Sequence, residues 1–444
     1  MTPNKSLSPE TQQRFLRYRW VVYGAPVTCL VLVFFVWVIP ATIGEQLSRE
    51  WNLNATSLGL LGSFLFYPYA LMQVPAGYLA DTWGPRRTVT AAMLVMALGQ
   101  FLFAQATGLP MALLGRAIAG LGAAVVLIAL MKILVNWFRV REFATLVGVA
   151  NLFGFGGSIL GTTPLALAVI QWGWRLPLLW VGGLTLALAV LTWLLVRDTP
   201  QEMGLPAIAQ LDPDSKAAVD DNPGKLERRP LITEAILTWL RTPTVWIVSI
   251  LIFVSWGTFQ AFQALWAGPY LIHVHHKSTV ESSFSLVLLS LGGGLGTTVA
   301  GYLSDKVFQA RQPFLLVGTL TLSLAWAGLV ATTGGASDLV INLTFLLLSV
   351  SIGFVLIGQA MVKEVVRPAI FGTVFGMVNM FPFIGNALFQ LLMGALLNRS
   401  GAILSNGSRV YSSEGYWLAF MPALIASVLC LVLSLFVPET LKQK

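Results

Sequence analysis

Arg116 and Lys132 both lie inside one apolar stretch, residues 111–136. A cation in apolar surroundings is costly and is retained where it holds an anion or a row of carbonyls. The two are 16 residues apart, which at ordinary helix geometry is roughly 24 Å and about 160° round the axis. They therefore cannot face one small ligand together. Arg116 reads as a ligand or coupling residue, with bracing of a neighbouring helix through its carbonyls as the competing reading. Lys132 is a second ligand candidate, but it stands near the end of its stretch, where its chain also reaches lipid headgroups. No Asp or Glu falls in the middle of any apolar stretch; Glu45, Asp81, Glu142, Glu281, Asp305, Asp338 and Glu364 all sit at ends. Embedded cations without an embedded carboxylate point to an anionic solute. Any coupled proton would then travel with the anion, or one anion would exchange for another.

Amides and aromatics supply the other binding chemistry. Trp256, Gln260, Gln263, Trp266, Pro269 and Tyr270 share the stretch 244–270, and together they would orient an amphipathic solute while burying its carbon skeleton. Gln260 and Gln263 could instead bond to neighbouring helices, and Trp266 and Tyr270 also suit a membrane–water belt. Tyr67, Tyr69, Asn151, Gln359 and Asn379 are weaker candidates of the same kind. His273-Val-His275-His276 holds every histidine of the chain. It reads as a solvated rim rather than a metal site, because no carboxylate or cysteine adjoins it. The chain has no Gly-x-Ser-x-Gly, Walker loop, His-Glu-x-x-His or dinucleotide glycine word, so neither an enzyme nor a cofactor is expected.

The elements that carry these groups are membrane helices. The chain has 444 residues, 56% hydrophobic and 10% charged, with mean hydropathy +0.77. A soluble domain carries about 25% charged residues. Twelve continuous apolar segments approach the roughly 20 residues needed to cross the hydrocarbon core: 21–42, 57–79, 88–107, 111–136, 144–170, 176–196, 244–270, 282–303, 313–333, 339–362, 370–397 and 417–437. They are spans 1 to 12 below. Their lack of alternation excludes barrel strands. With the N-terminus inside, 20 Lys and Arg fall on the inner side and 5 on the outer side, which places both termini in the cytoplasm. The net charge of +8 therefore reads as orientation, not as nucleic-acid binding. Cys29 and Cys430 fall inside apolar runs, so no disulfide framework is expected. Residues 1–20 form a polar tail without a cleavable signal pattern. Residues 197–243, with six prolines and mixed charges, read as a linker carrying a short amphipathic piece at 231–240.

The chain repeats itself. Gly77-Tyr-Leu-Ala-Asp81-Thr-Trp-Gly84-Pro-Arg86-Arg87 returns 224 residues later as Gly301-Tyr-Leu-Ser-Asp305-Lys306. Phe143-Ala-Thr-Leu-Val-Gly148-Val-Ala-Asn151 aligns with Phe371-Gly-Thr-Val-Phe-Gly376-Met-Val-Asn379 at an offset of 228, and Arg139 falls on Arg367. Two related six-helix halves are expected, 21–196 and 244–437, with a short tail 438–444. Duplicated halves place a solute between them near the bilayer midplane. Asp81 beside Arg86 and Arg87, with Gly77 for close approach and Gly84-Pro85 for the turn, reads as a charged latch. Its copy at Gly301, Asp305 and Arg311 lacks the Gly-x-Arg-Arg word and should be weaker.

The word Gly-x-Leu-x-Asp-x-x-Gly-x-Arg-Arg, together with Arg116-Ala-Ile-Ala-Gly120-Leu-Gly122-Ala-Ala124, resembles the signatures of the major facilitator superfamily of transporters. Arg197-Asp-Thr-Pro200 after span 6 is similar to its organic-anion and oxalate-type members, and counts as a family marker. The resemblance covers essentially the whole chain. It implies an all-α membrane protein of twelve helices in two pseudo-symmetric bundles, working by alternating access in a cytoplasmic (inner) membrane as a monomer. It places the cavity between spans 1, 4, 7 and 10, where Trp37, Arg116, Trp256, Gln260 and Gln263 would meet the solute. Drug antiporters of the superfamily carry a Gly-Pro-Gly-Gly-like word in span 5. This chain has Gly154-Phe-Gly156-Gly157 there, so uptake or exchange is favoured over drug export. Glycines of span 8, Gly292 to Gly296, suit a sliding interface. Three rivals stand beside anion transport: proton-driven efflux of amphipathic compounds, siderophore or peptide transport, and a transporter-like sensor. The partners implied are a small solute, membrane lipid and a coupling proton or counter-anion, with no nucleic acid.

Overall fold

A computed structural model describes residues 9–206, 228–405 and 408–441. It contains eleven single helices long and apolar enough to cross a membrane, and a bent pair, Ala55–Leu71 with Gln73–Thr82, that makes the twelfth. Each observed helix lies within a few residues of its apolar run except the first, which extends from Pro9 to Trp51. Its polar first turns persist because Phe15 and Tyr18 pack on Trp137 and the Tyr18 hydroxyl donates to Leu195 O at 2.7 Å. The protein is an integral membrane protein of the expected twelve-helix architecture.

Local chemistry sets the ends. Asn54 accepts from Ser57 N at 2.8 Å to start span 2. Pro85 opens span 3 at a position with no helical hydrogen bond to lose. Arg139 and Arg367, equated by the repeat, are the N-cap residues of spans 5 and 11. The amphipathic piece of the linker is a helix, Arg228–Arg241; residues 207–227 lie outside the described residues.

Three features were not expected. Span 7 (Pro243–His275) contains a π-turn at Phe262–Trp266, and span 8 ends in another at Leu303–Val307. Between spans 11 and 12, Ile403–Ser405 pairs antiparallel with Ser408–Val410. This hairpin defines one end of the bundle, called the hairpin end; the linker helix lies at the other, the linker end.

The halves meet along spans 2 and 11, 1 and 7, and 5 and 8. At the hairpin end the fit leaves no room for a methyl group. A Cβ on Gly59 would stand 2.7 Å from Gln390 O, and one on Gly268 2.5 Å from Ala41 O. Tyr411, beside the hairpin, accepts from Ala55 N of the opposite half at 2.7 Å. Midway down, Phe155 of span 5 lies against Gly293 of span 8. Nearer the linker end, Gly77, Gly148, Gly301 and Gly376 have nothing within 4 Å of a Cβ position. The halves thus fit tightly at the hairpin end and leave open space beside these glycines toward the linker end.

Candidate solute site and latch

Below the seal, aromatic rings from both halves form the roof. Trp37 of span 1 stacks on Phe34 at 4.4 Å and meets Tyr69 of span 2 at 5.6 Å and Phe383 of span 11 at 5.9 Å. Tyr69 and Phe383 are 4.1 Å apart. One step toward the linker end, Asn379 Nδ2 donates to Gln73 Oε1 at 2.8 Å across the halves. The indole nitrogens of Trp37 and Trp256 are buried and have no partner among the described residues. Gln260 is buried, and Gln263 Nε2 donates to Ser290 Oγ of span 8 at 3.0 Å, the helix–helix bond weighed as its alternative. Trp266 and Tyr270 are buried, not a surface belt: Trp266 Nε1 donates to Gln390 O at 3.1 Å, and the Tyr270 hydroxyl is 2.8 Å from Thr332 Oγ1.

Arg116 is 1% exposed. Its Nη1 donates to Val36 O at 2.9 Å, its Nη2 to Gly62 O at 3.2 Å, and its Nε to Leu61 O at 3.4 Å. It braces spans 1 and 2, and its partners are main-chain carbonyls rather than a carboxylate.

Lys132 belongs to a different place. Its Nζ pairs with Asp81 Oδ1 at 2.7 Å, at the linker end and away from the roof. Asp81 was expected beside Arg86 and Arg87. The turn at Gly84, with φ +83°, instead swings Arg86 toward span 6. There its Nε donates to Trp193 O at 2.8 Å and its guanidinium lies over the Trp193 ring at 4.2 Å. Arg87 is exposed.

Asp198, taken from sequence as a family marker, does local work. It accepts from Arg86 N at 2.6 Å, capping the positive end of span 3, and its carbonyl accepts from Asn136 Nδ2 at 2.8 Å. The second half repeats this device with Glu439. That carboxylate accepts from Arg311 N at 2.8 Å and Gln312 N at 3.0 Å. The Arg311 side chain pairs with Glu364 at 3.0 Å and donates to Ser304 Oγ at 3.0 Å. An acidic residue just past the last apolar run of each half was the available signal. The side chain of Asp305 lies outside the described residues; its backbone is in the π-turn.

Other candidates scatter. Asn151 Nδ2 donates to Val147 O of its own helix at 3.0 Å, Tyr67 edges against Phe64, and Gln359 is half-buried where span 10 is interrupted before Gly358. Glycines 154, 157 and 161 pack on span 1 within one half, whereas Gly293 and Gly294 face span 5 of the other. Two of the three histidines are tied inward, His273 Nδ1 lying 2.9 Å from the Tyr416 hydroxyl and His275 Nε2 2.9 Å from that of Tyr270, while His276 is exposed.

A family model described as Major Facilitator Superfamily matches residues 27–390. The chain belongs to that superfamily. It is a transporter of small solutes and not an enzyme. It is 28% identical over 382 residues to a hexuronate transporter of Bacillus subtilis, covering 82% of this chain and 86% of the relative. It is 25% identical over 423 residues to a probable hexose phosphate transport protein of Chlamydia trachomatis, covering 91% and 86%. A probable sulfoacetate transporter of Cupriavidus necator is 24% identical, covering 87% and 89%. Among solved structures, a bacterial homologue of the human lysosomal transporter Spinster, inward-facing and unoccupied, superposes with TM-score 0.75 at 16% identity, covering 97% and 98%.

Proposed function

We propose that the chain carries a small organic anion by alternating access, through uptake symport or exchange, with the solute held under the aromatic roof between the halves. One observation carries this reading: among the described residues, the buried Arg116 guanidinium has carbonyls for partners and no carboxylate. Its positive charge is uncompensated in a low-dielectric setting, where it attracts an anion most strongly. A guanidinium has five N–H donors, and the three bonds to carbonyls leave two of them for a solute. The unpartnered indoles of Trp37 and Trp256 add donors near the roof. The relatives named for hexuronate, hexose phosphate and sulfoacetate share a negative charge rather than a skeleton, which favours the same class.

The linker end is the cytoplasmic end in this reading, since 20 Lys and Arg lie on that side against 5 on the other. Gly77, Asp81, Gly84, Arg86 and Arg87, with Gly301, Asp305 and Arg311, form the latch that closes when the bundle rocks. The coupling partner is a counter-anion or a proton carried on the solute.

The test is counterflow in proteoliposomes with labelled glucuronate and glucose 6-phosphate, challenged by unlabelled sulfoacetate and neutral glucose. Saturable anion counterflow, blocked by anions and indifferent to glucose, is expected. Arg116→Gln should abolish it while the protein still purifies as a monodisperse species. Flux of glucose alone, or anion binding without flux, would overturn the proposal.

A further inference from the structure

Asn386 and Gln390 are buried amides whose side chains have no role in the site described above. With Asn379 they fall within about 40° of one another round span 11, on the face turned to span 2. Asn379 is satisfied by Gln73. Gln390 Oε1 lies 2.5 Å from where a Cβ on Gly62 would be, and the main-chain nitrogen of Asn386 is 3.0 Å from the Cβ position of Gly257. Both side chains are 0% exposed. Neither the nitrogen nor the oxygen of either amide has a hydrogen-bond partner among the described residues. Two buried carboxamides without a protein partner are a heavy penalty for an interface to carry, and apolar side chains of the same size would fill the space without it.

Their place gives the penalty a purpose. Gln390 stands on the seam between spans 2 and 11, with Asn386 one turn away on the same helix face, and this seam parts when the bundle opens at the hairpin end. Gly62 lies between them and the uncompensated cation, because its carbonyl accepts from Arg116 Nη2 while Gln390 Oε1 presses on its other side. We propose that Asn386 and Gln390 are the solute-reading amides of the conformation open at the hairpin end, binding the hydroxyl groups of a polyhydroxylated anion whose charge is drawn by Arg116. This rests on the anion-transport reading. A carboxamide both donates and accepts, as a hydroxyl does, so the pair selects hydroxylated anions over bare ones. Closing the mouth withdraws both amides into the seam and loosens the solute for release at the linker end.

The test compares uptake of two matched pairs in proteoliposomes: glucuronate against cyclohexanecarboxylate, and glucose 6-phosphate against hexyl phosphate. Members of each pair share the charged group and a carbon skeleton of similar length and differ chiefly in hydroxyl groups. The wild-type protein is expected to prefer the hydroxylated member. Gln390→Met and Asn386→Leu should each cut that preference by about tenfold, roughly one hydrogen bond. The melting temperature of the purified variants should stay level or rise, because a buried amide without a protein partner has been removed. Unchanged preference in both variants overturns the inference and leaves anion transport standing. A wild-type protein that moves no anion of either pair sinks both.

Discussion

Gly59→Ala should force the hairpin end open. The added methyl would stand 2.7 Å from the main-chain oxygen of Gln390, across the seam between the halves. That contact is with backbone, so no rotamer relieves it, and overpacking of this kind costs about 1–3 kcal/mol. The cost falls only on the sealed conformation, since parting spans 2 and 11 frees the methyl. At about 2 kcal/mol the equilibrium moves roughly 30-fold toward the open mouth. The reporter is Leu265→Cys, in a background with Cys29 and Cys430 replaced. Leu265 is 0% exposed and borders the same seam, 2.9 Å from the Gly62 Cβ position. Labelling by a membrane-impermeant maleimide added at the hairpin end should accelerate about 30-fold. Gly115→Ala is the matched control. Its methyl would stand 2.7 Å from Phe103 N, but spans 3 and 4 belong to one half and do not part. It should lower the melting temperature without speeding labelling. Equal labelling in the two variants would refute the reasoning that the first contact is conformation-specific and the second is not.

Four further outcomes follow from the linker end. Asp81→Asn removes an ion pair whose side chains are 60% and 36% exposed, so stability should fall by less than about 1 kcal/mol while turnover slows; a loss of solute affinity at unchanged turnover would contradict the latch. Asp198→Ala should cost about 1–2 kcal/mol as a lost helix cap. Gly84→Ala should cost more, because it adds a strained φ of +83° and a clash with the same carboxylate; thermal denaturation checks both. Burial pushes the Glu439 carboxyl up, but the backbone N–H groups of Leu441, Arg311, Gln312 and Thr440 outweigh it and hold the value below the usual carboxylate range. Its stabilising effect is therefore full above the unfolded value of about 4.3 and is lost as pH falls through the depressed folded value. Glu439→Gln should flatten the acid side of the melting profile and leave its slope near neutral pH unchanged.

The spans were legible because a membrane helix satisfies its backbone internally, and twenty apolar residues in a row have few other uses. The repeat was legible because Arg139 and Arg367 cap equivalent helices in two copies of one plan. Partners were harder to read. Nothing in the order of residues says that Arg116 would reach three carbonyls on two other helices, or that Lys132 would settle on Asp81. Those choices depend on differences of an ångström or so in how the helices pack. Asn386 and Gln390 left a trace that could have been followed: with Asn379 they are spaced 7 and 4 along an otherwise apolar helix, the interval that aligns side chains on one face. The π-turn in span 7 and the hairpin after span 11 left no such trace, since neither apolar runs nor loop composition distinguishes them.

Asp198 and Glu439 have a consequence for how the molecule could be built. Each carboxylate fastens the last stretch of its half back onto the start of that half's third helix, so each six-helix unit is closed on itself without help from the other. Two polypeptides, one ending after Pro206 and one beginning before Arg228, should therefore find each other in a membrane and regain transport. A pair carrying Asp198→Ala and Glu439→Gln should fail to reassemble, though the same changes in the unbroken chain are survivable.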